Sequence, residues 1–229
     1  TKRILRHIIM YTNNLDHPEV IRYLNSEVKR HDIINYLIDK YSLVNYLEIG
    51  VFKGENIREV KATHKDGVDP AAEGFKAPET NYPITSDEFF ELIDGHDIKY
   101  DIIFIDGLHH ADQVEKDIKN ALKHVVDGGY ILMHDCNPTS YEAQLIPRQT
   151  IAWNGDVWKA FVDFKAHHPS VKSCVVDTDF GVGVIQYINY FQNHSIEDID
   201  PQVTDWGYFD QNRKELLNLV TFDEFKTAF

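Results

Sequence analysis

Cysteine is nearly absent: Cys136 and Cys174 are the only two in 229 residues. They form neither a disulfide framework nor a metal-ligand spacing, which argues against a stapled secreted scaffold and fits a reducing, cytoplasmic setting. Positive charge is also scarce, with 23 Lys and Arg against 37 Asp and Glu and a formal net charge of −14. A general grip on nucleic acid phosphates needs a basic surface, so a nucleic acid partner is not expected. No apolar run reaches membrane-spanning length and the N-terminus lacks a signal-peptide core, so the expectation is a soluble protein without a membrane segment. A G-x-G-x-x-G fingerprint is missing, which disfavours a nicotinamide oxidoreductase. Internal repeats, low-complexity tracts and evident linkers are missing as well.

What is present suits one sizeable core. A hydrophobic content of 43% in a chain of this length supports a single α/β domain, 1–229, with helices at 1–42, a cofactor-binding core at 43–188 and a helical extension at 189–229. Apolar residues at helical spacing in 18–38 predict one or two N-terminal helices. Strands are expected at 44–49, up to Asp69, at 100–105, 130–133, 171–176 and 182–188. Helices are expected after Gly54, at 86–93, at 111–126 with Asp127-Gly128-Gly129 as the stop, at 155–164, 212–220 and 221–229. Strands alternating with helices imply a mostly parallel central sheet with helices on both faces, Rossmann-like, with additional terminal helices.

The run 46–56, YLEIGVFKGEN, reads as a buried strand that breaks into a glycine turn and then a helix. Glycines at such a switch let the backbone approach a ligand, and a helix N-terminus offers free N–H groups. Glu48 would repel a pyrophosphate but would favour a ligand with an ammonium group and a sulfonium centre, which points to S-adenosylmethionine. Asp69 ends the next strand, placed to accept hydrogen bonds from ribose hydroxyls, although Asp-Pro is also an ordinary turn signal. Asp106, with His109 and His110, follows the strand 100–105, and His134 and Asp135 follow the strand 130–133. Neighbouring parallel strands lie under about 5 Å apart, so Asp106 and Asp135 could share one cation. Two carboxylates suit Mg²⁺, and a contribution from His134 admits Mn²⁺ or another transition ion. The plainer alternative is that these residues cap helices and satisfy strand ends.

Taken together, LEIGVFKGEN, GVDP, TSDEFF, YDIIFIDGLHH, GGYILMHDCNP, WNGDVWKAF and DTDFGVGVI resemble the class I S-adenosylmethionine-dependent methyltransferases. More narrowly, they are similar to the bacterial group of macrocin-type and rhamnosyl sugar O-methyltransferases. The likeness spans roughly two-thirds of the chain. It implies that Glu48, Gly50, Gly54 and Asn56 meet the methionine end of the cofactor, Asp69 the ribose, and Ser86 and Asp87 the adenine, with Asp106 also beside the cofactor. It implies a divalent metal on Asp106 and Asp135, with His109 as general base. His134 stands where those enzymes can carry an acid, which bears directly on the metal.

The implied activity is O-methylation of a sugar hydroxyl on a glycan or glycoconjugate. The alternatives are metal-assisted O-methylation of a phenolic small molecule, or a cofactor-binding domain without transfer activity. His110 competes with His109 as the base. Trp153, Asp156 and Trp158 are candidates for acceptor contact, and the polar stretch from Asn137 to Arg148 for a lid. A homo-oligomer is left open.

Overall fold

The computed structural model describes residues 11–72, 74–188 and 204–229. Its centre is a seven-stranded sheet in the order β2-β1-β3-β4-β6-β5-β7, built from β1 (Asn45–Ile49), β2 (His64–Val68), β3 (Tyr100–Ile105), β4 (Val125–Met133), β5 (Ser173–Val176), β6 (Val182–Gln186) and β7 (Leu219–Val220). β2, β1, β3 and β4 run parallel, β6 is antiparallel to both neighbours, and β7 pairs parallel with β5. The helices are α1 (Pro18–Leu24), α2 (Arg30–Tyr41), α3 (Glu55–Glu59), α4 (Ser86–Ile93), α5 (Ala111–His124), α6 (Val157–His167), α7 (Trp206–Leu216) and α8 (Phe222–Ala228). This is the expected Rossmann-like arrangement. Among the described residues no helix is long and apolar enough to cross a membrane.

Side chains alternate across a strand, so a strand covered on both faces needs apolar residues at every position. Leu47, Ile49, Ile103, Ile105, Ile131 and Met133 pack on one face with Phe89, Val114, Ile118, Trp158 and Phe161. Tyr46, Ile102, Phe104, Tyr130 and Leu132 pack on the other with Ile33, Leu37, Ile57 and Phe225. Glu48 lies two residues from Tyr46 and therefore faces the α2 and α3 side.

Three sequence expectations change. The helix expected to 126 ends at His124, because the β-branched pair Val125 and Val126 already enters β4, where Val125 pairs with Tyr100. The helix expected at 212–220 is shifted to Trp206–Leu216; Asn218 turns left-handed (φ +46°) and Leu219–Val220 become a strand on β5. The extension from 189 is thus not purely helical, and its first part, 189–203, lies outside the described residues. The helix expected from Gly155 begins at Val157, after a left-handed Gly155 (φ +65°).

Ile49, Ile105 and Met133 are in register at the carboxyl ends of β1, β3 and β4. The ladder continues one layer further, with Asp106 N–H donating to Ile49 O at 2.8 Å and His134 N–H to Ile105 O at 3.0 Å. Gly50, Asp106 and His134 are therefore lateral neighbours.

Candidate active site

The turn after β1 is shaped first by contacts within the fold. Gly50 has φ +91°, and a Cβ there would sit 2.0 Å from Asp106 O. This glycine lets β1 and β3 end side by side, so its small size serves strand packing as well as any approach of a ligand. The left-handed Phe52 (φ +45°) donates its N–H to Asp69 Oδ2 at 2.8 Å, and Ala71 N–H donates to Asp69 Oδ1 at 2.7 Å. Asp69 thus joins the loops that follow β1 and β2. Gly54 caps α3, whose five residues are too few for a strong helix dipole.

Glu48 is 2% exposed. Its Oε2 accepts from Tyr46 Oη at 2.5 Å and from Asn56 Nδ2 at 2.8 Å, while Asn56 Oδ1 is buried without a hydrogen-bond partner. Burial pushes the Glu48 carboxyl up to about 7, against the two hydrogen bonds that favour its charged form. A carboxyl that holds its proton more tightly when folded makes the fold progressively less stable as pH rises from its ordinary value, 4.5, to about 7. The Glu48→Gln variant should therefore match the wild type near pH 4.5 and exceed it by roughly 3 kcal/mol above pH 7, at 1.36 kcal/mol per pKa unit. Thermal melts of both ligand-free proteins across pH measure this; a gap independent of pH would refute it.

Ser86 is the first residue of α4, behind the capping box of Thr85 and Glu88. Gln113 Nε2 donates to Ser86 Oγ at 3.2 Å, Asp87 Oδ1 at 2.9 Å and Asp117 Oδ1 at 3.2 Å. Burial pushes Asp117 up to about 6, opposed by its bonds to Ser86 and Gln113. Neither Gln113 nor Asp117 was among the expected residues, since each reads as an ordinary position on an amphipathic helix.

The acids and histidines of β3 and β4 do converge. Asp106, His134 and Asp135 offer ligand atoms that all lie within 4.8 Å of one another. Asp135 adopts φ +61° and accepts from Asn154 Nδ2 at 2.5 Å. His109 Nε2 is 3.4 Å from Asp106 Oδ1, and its enclosed Nδ1 is 3.2 Å from Asp135 Oδ2. The His109 ring stacks on Trp153, with centroids 5.3 Å apart and planes 17° from parallel. Gly155 makes this possible: a Cβ there would stand 1.9 Å from His109 O. His110 is outside the acidic contacts, at the cap of α5 and edge-on to Trp153. Of the other acceptor candidates, Asp156 is occupied at the start of α5 by Ala111 N–H, and Trp158 is fully buried against Phe209. In the stretch considered as a lid, Asn137 and Thr139 are buried.

Two charged residues complete the cluster that spacing alone did not reveal. Arg30, at the start of α2, lies 3.8 Å from Asp106 and 3.7 Å from Asp179, with Nη1 2.9 Å from His134 Nε2. Asp179 stands in the turn between β5 and β6, 3.8 Å from His134 Nε2. Burial works against the charge on Asp106, but His134 and Arg30 outweigh it and hold the carboxyl well below its usual range. Burial also works against protonated His109, yet Asp135 and Asp106 prevail and its pKa is raised. For His134 burial opposes and Asp135 favours a proton on the ring, and the net direction is upward.

A cavity of about 600 Å³ lies elsewhere, between α6, β5, α7 and α8, and shares no residue with this cluster. Residues 47–136 match the family model described as a methyltransferase domain. The match spans 47–136 of the 229 residues and so takes in the first four strands of the sheet. The matched stretch contains Glu48, Gly50, Gly54, Asn56, Asp69, Ser86, Asp87, Asp106, His109, His134 and Asp135, whereas Arg30, Trp153 and Asp179 lie outside it.

No curated protein matches the chain. Among solved structures, the O-methyltransferase from Bacillus cereus in complex with S-adenosylhomocysteine is 15% identical, with 70% of this chain and 83% of that one covered at a TM-score of 0.50. A Podospora anserina methyltransferase bound to S-adenosylhomocysteine is 15% identical over 75% of this chain and 82% of its own, at 0.49. An O-methyltransferase from Streptomyces achromogenes in complex with S-adenosylmethionine, involved in tomaymycin synthesis, is 14% identical over 70% and 80%, at 0.47. Identities this low speak for a shared fold. The Bacillus cereus enzyme, at 15% identity, shares the Rossmann-like fold with this chain.

Proposed function

We propose that the chain is an S-adenosylmethionine-dependent O-methyltransferase that methylates a sugar hydroxyl with the help of a divalent metal. The observation that carries this reading is His109, held between Asp106 and Asp135 beside a three-residue ligand set and stacked on the half-buried Trp153. A hydroxyl is a poor nucleophile at neutral pH and needs its proton removed as the methyl group arrives.

His109 Nδ1 is enclosed against Asp135, which leaves Nε2 as the nitrogen that takes the proton. The carboxylates that orient the ring also stabilise the imidazolium it becomes. The donor set of Asp106, Asp135 and His134 fits a divalent cation, with the imidazole favouring Mn²⁺ as an alternative to Mg²⁺. A cation held there supplies Lewis acidity that lowers the pKa of a bound hydroxyl. The sulfonium methyl of the cofactor supplies the electrophile, so methyl transfer is chiefly a matter of in-line placement.

On the cofactor side, Glu48 and the unpartnered Asn56 Oδ1 together form a buried acceptor pair suited to an ammonium group. Gly50 and Gly54 bracket that end, Asp69 is assigned to the ribose, and Ser86 and Asp87 to the adenine. Trp153 offers an apolar face to a sugar ring. A phenolic acceptor is the alternative, and a cofactor-binding domain without turnover is the second.

Calorimetric titration with S-adenosylmethionine and S-adenosylhomocysteine tests the reading, with and without Mg²⁺ or Mn²⁺. Asp69→Ala should weaken binding by about tenfold or more, near 1.4 kcal/mol. Absence of binding by folded wild type under every metal condition would overturn the assignment. Turnover on catechols but not on glycans or sugar nucleotides would replace the sugar by a phenol, and binding without turnover on any acceptor would favour the non-catalytic reading.

A further inference from the structure

The ligand set already holds a cation of the chain's own. Arg30 is the first residue of α2, and its backbone N–H donates to Asp179 Oδ2 at 3.0 Å, so a fixed helix start delivers the side chain into the cluster. Its Nε lies 3.8 Å from Asp106 Oδ2 and its Nη1 lies 2.9 Å from His134 Nε2. Two of the three candidate metal ligands therefore interact with Arg30 directly.

The contact at His134 is the more demanding one. The same Nη1 is also 3.3 Å from His134 Nδ1, so one guanidinium nitrogen stands against both ring nitrogens. Nδ1 is the nitrogen that faces Asp106 Oδ1 at 3.4 Å and Asp135 Oδ2 at 3.2 Å. A metal shared with those carboxylates needs that same nitrogen bare. The present position of Arg30 and a metal on all three residues exclude each other, and repulsion between the two positive charges acts in the same direction.

We propose that Arg30 is a built-in competitor of the divalent metal, occupying the ligand set in the metal-free protein and leaving His134 Nε2 when the ion binds. This rests on the metal-assisted reading above. Once Arg30 has left, Asp179, 3.8 Å from Nε2, is the carboxylate placed to take up the Nε2–H, the usual outer partner of a metal-bound imidazole. Metal affinity is then set by how readily the start of α2 releases its guanidinium.

Mn²⁺ binding to the full chain, read by loss of the free-ion electron paramagnetic resonance signal, tests this in the wild type, Arg30→Gln and Asp135→Asn. Arg30→Gln is expected to bind about tenfold more tightly or better, a gain of near 1.4 kcal/mol. Asp135→Asn, alone or combined with it, should abolish binding and so locate the ion. Equal or weaker binding by folded Arg30→Gln overturns the proposal and leaves the metal reading standing. No Mn²⁺ binding by any of the proteins, with S-adenosylhomocysteine still bound, overturns the metal reading and the proposal together. Should Arg30→Gln melt before it can be titrated, the Arg30 Nε–H resonance of the wild type carries the test. It is expected to move to fast solvent exchange as Mg²⁺ is added, and an unchanged resonance at saturating Mg²⁺ overturns the proposal.

Discussion

Replacing His109 by alanine is expected to lower kcat by roughly 10²- to 10⁴-fold, the range in which positioned general bases contribute, while leaving cofactor binding nearly unchanged. The ring lies between two carboxylates, 3.4 Å from Asp106 and 3.2 Å from Asp135, and among the described residues no other imidazole is placed to take over its role. His134 is engaged by Arg30 at 2.9 Å, and the His110 ring stands perpendicular to Trp153 with centroids 6.3 Å apart. His110→Ala should therefore keep activity within a few-fold, which separates the two candidates. Because His109 also stacks on Trp153, truncation leaves a gap beside that ring. Added imidazole should restore part of the rate if the loss is that of a proton acceptor. A variant with wild-type kcat would remove His109 from the mechanism, and loss of S-adenosylhomocysteine binding would mark its role as structural.

Gly50→Ala is expected to destabilise the protein by about 2–5 kcal/mol. A left-handed backbone costs an L-residue roughly 1–2 kcal/mol, and overpacking adds about 1–3 kcal/mol. The added methyl would stand 2.0 Å from Asp106 O and 2.7 Å from Gly107 Cα, both backbone atoms that cannot rotate aside. Relief would require β1 and β3 to part at the layer that carries Asp106, so the variant should lose activity along with stability. Gly107→Ala is the control: its Cβ would meet Ile49 Cγ2 at 3.4 Å, an ordinary contact, and should cost under about 1 kcal/mol. Urea denaturation of the three proteins measures both values. A Gly50→Ala protein of wild-type stability that no longer binds S-adenosylhomocysteine would return this glycine to the role of making room for a ligand.

Much of the site was legible because it depends on local order. The continuous apolar run at 100–105, broken only by Asp101, and the glycine stop before 130 place two strands, and a residue that follows a strand end must lie on the edge where such sheets bind ligands. Asp106, His109, His134 and Asp135 could be nominated on that ground, and the structure brings all four together. The acceptor side was harder to read. Trp153 and Trp158 share the motif WNGDVWKAF, yet one stacks on His109 and the other is core, because the left-handed Gly155 and the start of α6 between them turn the chain.

The sequence by itself determined the strand and helix order of the core, the strand-end acids and histidines, and the low content of cysteine and positive charge. Only the tertiary structure decided that Leu219–Val220 extends the sheet, that Gly50 serves strand packing, and that Arg30 and Asp179 share the cluster with His134. The physical reason is range. Periodicity and turn chemistry act over a few residues, whereas Arg30 meets His134 across 104 positions and Asp179 across 149. Such contacts are set by which helix covers which face of the sheet, and that choice is made by burial summed over the whole core.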